Sequence, residues 1–162
     1  MEFRSRRPAR GGKGIAHPVA MENELASLSI RQIVDLLAME RHPTAGWFVL
    51  HYSDSEIWGR PKFSSIYYLL AGNEPMPLHK TDGIEVWHYH MGAPAEFVVT
   101  NGRRMYVTST LGNDLALGHR PQLAVPAYLW QSCRSLGDWT LLGCTASPGF
   151  SPRANLVIST DD

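Results

Sequence analysis

The stretch from His79 to Gly92 holds the densest set of groups that could bind a metal ion or transfer a proton. Its sequence is HKTDGIEVWHYHMG, in which His79, Glu85, His88 and His90 fall within twelve residues. Imidazole and carboxylate groups are ligands for transition metals, and the same groups act as general acids and bases. The stretch therefore indicates either a metal site or a site of acid–base chemistry.

The positions of these groups depend on how the strands run. A predicted turn divides the stretch into the end of one strand and the start of a second. Because side chains alternate along a strand, Glu85, Trp87 and Tyr89 share one face. His88 and His90 share the other face, and Glu85 can join them only if the strand contains a β-bulge. The sequence leaves the face of the two histidines undecided.

One amphipathic helix is predicted before the strands. Ser29 is its expected N-cap, and Gln32 three residues later completes a capping box. Pro43 is expected to end the helix, because the residue before a proline avoids the helical region. His42, next to that proline, is predicted to lie in a turn. The apolar side is made by Ile30, Ile33, Val34 and Leu37.

Short apolar runs separated by turn residues make up the rest of the chain. Their spacing predicts an antiparallel β-sandwich or barrel, so the fold class is all-β with one N-terminal helix packed on it. Asn101 and Gly102 predict a hairpin with a two-residue turn. The predicted strands are Trp47–Tyr52, Ser64–Leu70, Ile84–His90, Glu96–Thr100, Met105–Thr110, Gln122–Val125, Leu129–Cys133 and Thr140–Thr145.

Composition limits the domain organisation and the partners. The chain has 162 residues and a formal net charge of zero, with a basic excess near its start. We predict a disordered basic tail over 1–26 and a single domain over 27–158. Without a basic face or an apolar run of about 18 residues, we expect neither a nucleic-acid nor a membrane partner. Cys133 and Cys144 are predicted to be buried thiols, which fits a cytoplasmic location.

Seven segments of the chain, taken in order, carry a resemblance to a known family. They are RQIVDLL at 31–37, HPTAGWF at 42–48, SSIYYLL at 64–70, EVWHYHMG at 85–92, LGNDLALG at 111–118, VPAYLWQ at 125–131 and GCTASPGF at 143–150. Together they resemble the cupin superfamily, and more narrowly its DUF985 or Cupin_5 family. The resemblance implies a small double-stranded β-helix, or jelly-roll, barrel and a homodimer formed by pairing of barrel edges.

The resemblance also implies where the metal ligands of general cupins would fall. Glu85 and Gly92 keep the seven-residue spacing of the first cupin motif, and His79 takes the place of its second histidine. Pro77 stands where the first histidine would be, and Gln131 replaces the histidine of the second motif. The chain departs from its own family around the presumed pocket mouth, which suggests an altered ligand. These departures are Met76, Lys80, Gly83, Ile84 and Tyr128.

Two kinds of chemistry are compatible with these residues. If a metal is bound, His79, Glu85 and Gln131 would hold Fe, Mn, Ni or Zn. Without a metal, a dry barrel raises the pKa of Glu85 and lowers that of His79, so the two could act as general acid and base. Metal-free sugar-nucleotide epimerases of the cupin superfamily provide a fold-level analogy. We expect no cofactor, with a divalent metal as the alternative.

We therefore predict a small-molecule cupin enzyme of isomerase, epimerase, cyclase or lyase type. Its substrate would carry a carbonyl group and a ring, and Glu85 and His79 would transfer protons. The alternatives are a non-catalytic ligand-binding barrel and a metal-dependent oxygenase or lyase. The predicted substrate-binding residues are Tyr67, Trp87, Tyr89, His90, Trp130 and Gln131.

Overall fold

The computed structural model describes residues 28–54, 56–57, 59–103 and 105–157. The predicted tail lies outside these residues, and the division into tail and single domain stays a prediction. No helix within the described residues is long and apolar enough to cross a membrane. The elements are α1 Ile30–Leu37, β1 Glu40–Arg41, β2 Trp47–Ser53, β3 Glu56–Ile57, β4 Arg60–Pro61, β5 Ser64–Ala71, β6 Met76–Lys80, β7 Ile84–Gly92, β8 Ala95–Thr100, β9 Met105–Leu111, β10 Gln122–Val125, β11 Trp130–Ser135, β12 Trp139–Ser147 and β13 Leu156–Val157.

The strands form two facing antiparallel sheets, as expected for a jelly roll. One sheet has the order β1-β2-β5-β12-β7-β10, and the other has the order β13-β6-β11-β8-β9. Strands β3 and β4 form a separate two-stranded hairpin. All eight predicted strands are present, and their ends differ by two residues at most. The predicted all-β jelly roll is therefore confirmed.

Helix α1 begins where the capping box predicts. The Ser29 side chain accepts from the Gln32 backbone N–H, and the Gln32 side chain accepts from the Ser29 backbone N–H. The predicted end of the helix was wrong, because Ala38 already adopts a left-handed conformation with φ of 50°. Ile33 is buried against Leu69 on the outer face of the six-stranded sheet. The helix thus covers that sheet from outside and leaves the barrel interior to the strands.

Replacing Ser29 with alanine tests this helix boundary. Loss of the capping hydroxyl is expected to lower the free energy of unfolding by about 1 kcal/mol, measured by urea denaturation. The control is Ser29→Asp, which retains an acceptor at the N-cap and should stay close to the wild type. Equal stability of Ser29→Ala and the wild type would show that the cap does not contribute.

The predicted two-residue hairpin between β8 and β9 was wrong in length. Thr100 pairs with Met105, so four residues separate the paired positions. Gly102 has φ of 83°, and the Asn101 side chain accepts from the backbone N–H of Arg103 at 3.0 Å. The turn held by this side-chain hydrogen bond is wider than the two-residue type. Asn101 and Gly102 do lie in the turn, as predicted.

Candidate functional site

The register of the six-stranded sheet determines which side chains face the barrel interior. Glu85 pairs with Ala146, which pairs in turn with Ser64, so these three form one row across β7, β12 and β5. Two residues along β7, Trp87 pairs with Cys144 in a second row that faces the same way. Both rows are buried, which places Glu85 and Trp87 inside the barrel.

A β-bulge on the opposite sheet brings His79 to the same interior. His79 pairs with Gln131 on one side and with Val157 on the other. Met76 pairs with Cys133, so three steps along β6 correspond to two steps along β11. On a regular strand, Met76 and His79 would face opposite ways, but the extra residue lets both be buried and line the cavity.

The two sheets enclose a cavity of about 700 Å³. Its deep part contains the buried side chains of His79 and Glu85, whereas exposed Leu50, Phe150 and Val157 mark its mouth. The described lining residues include no lysine or arginine, and most are apolar. They are Glu40, His42, Pro43, Thr44, Phe48, Leu50, Ser53, Pro61, Ser64, Ile66, Tyr68, Met76, His79, Glu85, Trp87, Cys144, Ala146, Phe150, Pro152, Asn155 and Val157.

Glu85 is held in place by a chain of buried hydrogen bonds. The indole Nε1–H of Trp87 donates to Gln131 Oε1 at 2.8 Å, and Gln131 Nε2 donates to Glu85 Oε2. Because an indole N–H can only donate, it fixes which end of the Gln131 amide faces Glu85. Burial raises the pKa of Glu85 to about 7, and the bond from Gln131 only partly opposes that rise. Glu85 is therefore a carboxyl group that titrates near neutral pH.

The hydrogen bond from His79 to the backbone defines which of its ring nitrogens carries the proton. Its Nδ1 lies 3.0 Å from the carbonyl oxygen of Pro77. Since a carbonyl oxygen can only accept, Nδ1 carries the proton and Nε2 is the free basic nitrogen of the neutral ring. Burial lowers the pKa of His79, and the bond to Pro77 opposes this only in part. At neutral pH, His79 therefore presents an unprotonated nitrogen as a base.

His42 is a third titratable group on the cavity, where the sequence predicted only a turn residue. The backbone N–H of Thr44 donates to His42 Nδ1 at 3.3 Å, so the ring proton is on Nε2. The ring packs edge-on against Phe48 and Tyr68. Burial lowers the pKa of His42, and repulsion between the protonated forms of His42 and His79 lowers it further. His42 is therefore a neutral hydrogen-bond donor, and the HPTAGWF segment was the available signal for it.

The Trp87–Gln131 hydrogen bond can be tested with Trp87→Phe. The substitution keeps an aromatic ring but leaves the buried Gln131 Oε1 without its donor. We expect the free energy of unfolding to fall by about 1–3 kcal/mol in urea titrations. Trp47→Phe is the matched control, because Trp47 lies on the outer face with the helix. A loss no larger than that of the control would contradict the proposed hydrogen-bond chain.

Of the six predicted substrate-binding residues, Trp87 lines the cavity and the other five do not. Tyr67 pairs with Gly143 on the outer face of the sheet, and its neighbour Tyr68 lines the cavity instead. His90 packs against Tyr67 on that outer face, with ring centroids 5.6 Å apart. The strand does bulge between Tyr89 and Met91, but this bulge lies beyond Glu85 and brings no histidine inward.

Tyr89 and Trp130 are outside the cavity lining for separate reasons. Tyr89 points inward but packs in the core, and its hydroxyl donates to the backbone oxygen of Gly92 at 2.6 Å. Trp130 lies under the ammonium group of Lys80, 4.7 Å from the ring centroid. Neither belongs to the cavity lining. Of the predicted substrate-binding set, Trp87 lines the cavity, and Gln131 supports it from behind Glu85.

The donor set does not fit a transition metal held by the predicted ligands. Gln131 cannot serve as a ligand through its oxygen, because that oxygen accepts from Trp87 and its amide nitrogen faces Glu85. His79 and Glu85 alone supply fewer than the three or four ligands that such sites use. Within the described residues, no group of three or more His, Cys, Asp or Glu side chains is arranged to hold a metal ion.

Cys144 also lines the cavity. The sequence predicted that Cys133 and Cys144 are buried thiols. Both Cys133 and Cys144 are free and buried, which confirms that prediction. Burial raises the pKa of the Cys144 thiol well above its usual value, and the nearby Glu85 charge raises it further. The thiol therefore stays protonated at neutral pH and acts as an apolar wall of the cavity.

Comparison with known proteins agrees with this architecture. The family model for the cupin superfamily family Cupin_5 (DUF985) matches residues 31–155. The chain belongs to this family. Protein SO0799 from Shewanella oneidensis is 30% identical, with a TM-score of 0.74, over 78% of this chain and 82% of that protein. No curated protein matches the chain.

Solved structures with lower sequence identity share the fold. A hypothetical protein from Leishmania major is 21% identical, with a TM-score of 0.72, over 82% of this chain and 88% of its own. Oxalate decarboxylase from Bacillus subtilis is 15% identical, with a TM-score of 0.58, over 73% of this chain but only 29% of its own. The homodimer implied by resemblance to cupins stays a prediction.

Proposed function

We propose that this Cupin_5 protein is a small-molecule enzyme that moves a proton beside a carbonyl group, as isomerases, epimerases, cyclases and some lyases do. The observation that carries the proposal is that His79 and Glu85 are both buried and both line one largely apolar cavity of about 700 Å³. That volume accommodates a ring compound. The cavity walls are flat and apolar, formed in part by Trp87 and Tyr68.

The proposed reaction needs an unprotonated base and a protonated acid, and His79 and Glu85 can supply them. Burial lowers the pKa of His79 and raises that of Glu85 to about 7. Near neutral pH, the imidazole is therefore unprotonated, while part of the Glu85 carboxyl population still carries its proton. This reverses the order of their ordinary pKa values and suits a base and an acid acting together.

The proposed step assigns one role to each group. His79 Nε2 takes a proton from the carbon beside the carbonyl, and the electron pair of that C–H bond becomes the C=C bond of an enol. The Glu85 carboxyl gives its proton to the carbonyl oxygen, while the Nε2–H of His42 is available to donate a hydrogen bond to the same oxygen. The protonated His79 then returns a proton to the same carbon or to another carbon of the enol system, the enol O–H gives its proton back to the Glu85 carboxylate, and the C=O bond forms again in the exchanged or isomerised product.

The oxalate decarboxylase named among the fold relatives is not the model for this substrate. Oxalate is a dianion, and the described cavity lining contains two carboxyl groups, Glu40 and Glu85, but no lysine or arginine. Burying an anion beside a carboxylate without a cationic partner is strongly unfavourable. An uncharged carbonyl compound avoids that cost.

Deuterium exchange tests the proposed reaction. The probe is 2-tetralone, an uncharged bicyclic ketone whose ring carbons beside the carbonyl exchange slowly with D₂O. We expect the protein to accelerate this exchange, followed by proton NMR, and a chelator to leave the acceleration unchanged. Binding of 2-tetralone without acceleration would overturn the enzyme proposal in favour of a ligand-binding barrel. Loss of the acceleration with chelator would instead support metal chemistry.

A further inference from the structure

A row of four apolar side chains crosses the six-stranded sheet from the cavity interior to its mouth. Trp87 on β7 pairs with Cys144 on β12. Cys144 pairs with Ile66 on β5, and Ile66 pairs in turn with Leu50 on β2. Because paired residues on neighbouring strands point to the same side of a sheet, these four side chains share one face. All four line the cavity, and together they form what we call the apolar row.

Exposure to solvent rises along the apolar row. Trp87 is 3% exposed and Cys144 is also buried, whereas Ile66 is half-buried and Leu50 is 57% exposed. Neighbouring strands lie about 4.8 Å apart, so the row spans about 14 Å across its four strands. The row is therefore a continuous apolar path that leads from the buried part of the cavity to solvent.

The next row on the same face carries the proposed acid. Glu85 pairs with Ala146, which pairs with Ser64, and Ser64 pairs with Ser53. A β-bulge in β2 separates the two pairings at this edge, so Leu50 and Ser53 both line the cavity although they are three residues apart. A ligand whose reacting end lies at Glu85 thus has the apolar row directly beside it.

The size of the cavity leaves room for more than the proposed ring. A volume of about 700 Å³ is typical of sites for drug-sized ligands, and a bicyclic ketone fills only part of it. A single exposed leucine on a protein surface needs no explanation. Leu50 is different, because it continues a buried apolar row and lines the cavity at its exposed end.

We propose that the substrate is an uncharged carbonyl compound with an alkyl chain, and that this chain lies along the apolar row and ends at Leu50. The inference rests on the proposed function only for placing the carbonyl group at His79 and Glu85. It adds a substrate class, an alkyl-substituted neutral ketone, and assigns Ile66 and Leu50 as residues that select for the chain.

Calorimetric titration with 2-tetralone and three derivatives tests the proposal, at concentrations where none of them aggregates. Two derivatives carry a butyl or an octyl chain at the same aromatic carbon, and the third carries an ethylene glycol chain as long as the octyl chain. Each methylene group that leaves water for an apolar surface should tighten binding by about fourfold. The wild type should therefore bind the octyl compound roughly a hundredfold tighter than 2-tetralone, with the butyl compound between them.

The ethylene glycol compound separates an apolar path from mere space for a chain. Its ether oxygens favour water, so it should bind roughly tenfold or more weakly than the octyl compound. Affinity that does not rise from 2-tetralone to the octyl compound would overturn the proposal. Equal affinities for the octyl and ethylene glycol compounds would overturn it as well.

Two variants at the exposed end assign the effect to the apolar row. Leu50→Asp places a charge where the chain ends, and should reduce the advantage of octyl over unsubstituted 2-tetralone by roughly tenfold. Leu50→Thr, which suits a strand, should reduce it by about threefold and covers the case in which the aspartate variant does not fold. The matched control is Val107→Asp, which alters an exposed apolar residue of β9 outside the cavity lining and should keep the full advantage.

These binding measurements separate the ligand class from the reaction. An unchanged octyl advantage in a folded Leu50 variant would show that the chain binds elsewhere, which contradicts the inference. If the advantage depends on Leu50 but 2-tetralone shows no accelerated exchange, the ligand class stands and the enzyme proposal fails. If exchange is accelerated but the octyl chain adds no affinity, the reaction stands and the role of the apolar row fails.

Discussion

Replacing Glu85 with glutamine is expected to reduce the accelerated exchange of 2-tetralone by about 10²–10⁴-fold, the usual contribution of a general acid or base. Glutamine keeps the size of the side chain and can still accept from Gln131, so the cavity should keep its shape. It cannot give a proton to the carbonyl oxygen. The measurement is the initial rate of deuterium incorporation at equal protein concentration, with binding of 2-tetralone checked by calorimetry.

His79→Gln should produce a loss of similar size, because the amide offers no basic nitrogen. The matched control is Glu96→Gln, which removes a carboxylate from the five-stranded sheet, where Glu96 pairs with Arg134 at 2.8 Å. That variant should exchange 2-tetralone at the wild-type rate. If Glu85→Gln and His79→Gln both bind the ketone and keep the full rate, neither residue transfers the proton.

Glu85→Gln is also expected to change the free energy of unfolding. A rise in the pKa of Glu85 from 4.5 to about 7 on folding means that its ionisation opposes the folded state. Each pH unit between the two pKa values is worth about 1.4 kcal/mol, so the penalty at pH 8 is about 3 kcal/mol. We expect Glu85→Gln to be more stable than the wild type by about that amount at pH 8.

The sign of this effect sets its pH window. Between pH 4.5 and about 7, the folded chain holds a proton on Glu85 that the unfolded chain has lost, so stability falls as the pH rises. The pKa values of His42 and His79 are lowered in the folded state, so those groups cost stability as the pH falls below 6.5. Both histidines remain in the variant, and their contribution cancels in the difference.

The difference between the two proteins, measured by urea denaturation, should therefore be near zero at pH 4 and largest at pH 8. Glu96→Gln, whose carboxylate is ion-paired at the surface, should show no such growth with pH. A constant difference between Glu85→Gln and the wild type across this range would show that Glu85 has an ordinary pKa in the folded protein.

The sequence was sufficient to predict most of the fold. The Ser29 capping box defined the start of the helix, and the alternation of apolar residues located eight strands. The end of the helix was missed because Ala38 adopts a left-handed conformation that no glycine or asparagine signals. The turn after β8 was misjudged in length because the bond from the Asn101 side chain depends on the folded backbone.

The positions of the candidate side chains were predictable only where alternation along a single strand determines them. Glu85 and Trp87 share a face by simple alternation, and both proved to be inside the barrel. Tyr67 was chosen over Tyr68 although adjacent residues on a strand face opposite ways, and only the pairing with β12 decides between them. Tyr68, one residue further along the strand, therefore lines the cavity, and Tyr67 lies on the outer face.

Features that depend on distant segments could not be predicted. His42 reaches the cavity because the loop before β2 closes over it, and Asn155 does so because β13 pairs with β6. The orientation of the Gln131 amide depends on the Trp87 indole, 44 positions earlier in the chain. Gln131 was predicted as a metal ligand if a metal is bound. In the structure its amide accepts from Trp87 and donates to Glu85.

The most direct test of this account is the titration of the Glu85 carboxyl itself. Difference infrared spectroscopy of the wild type against Glu85→Gln isolates the stretching band of the protonated carboxyl group as the pH is varied. We predict that this band disappears with a midpoint of about 7. A midpoint near 4.5, the ordinary value for glutamate, would contradict the buried acid on which the proposed chemistry depends.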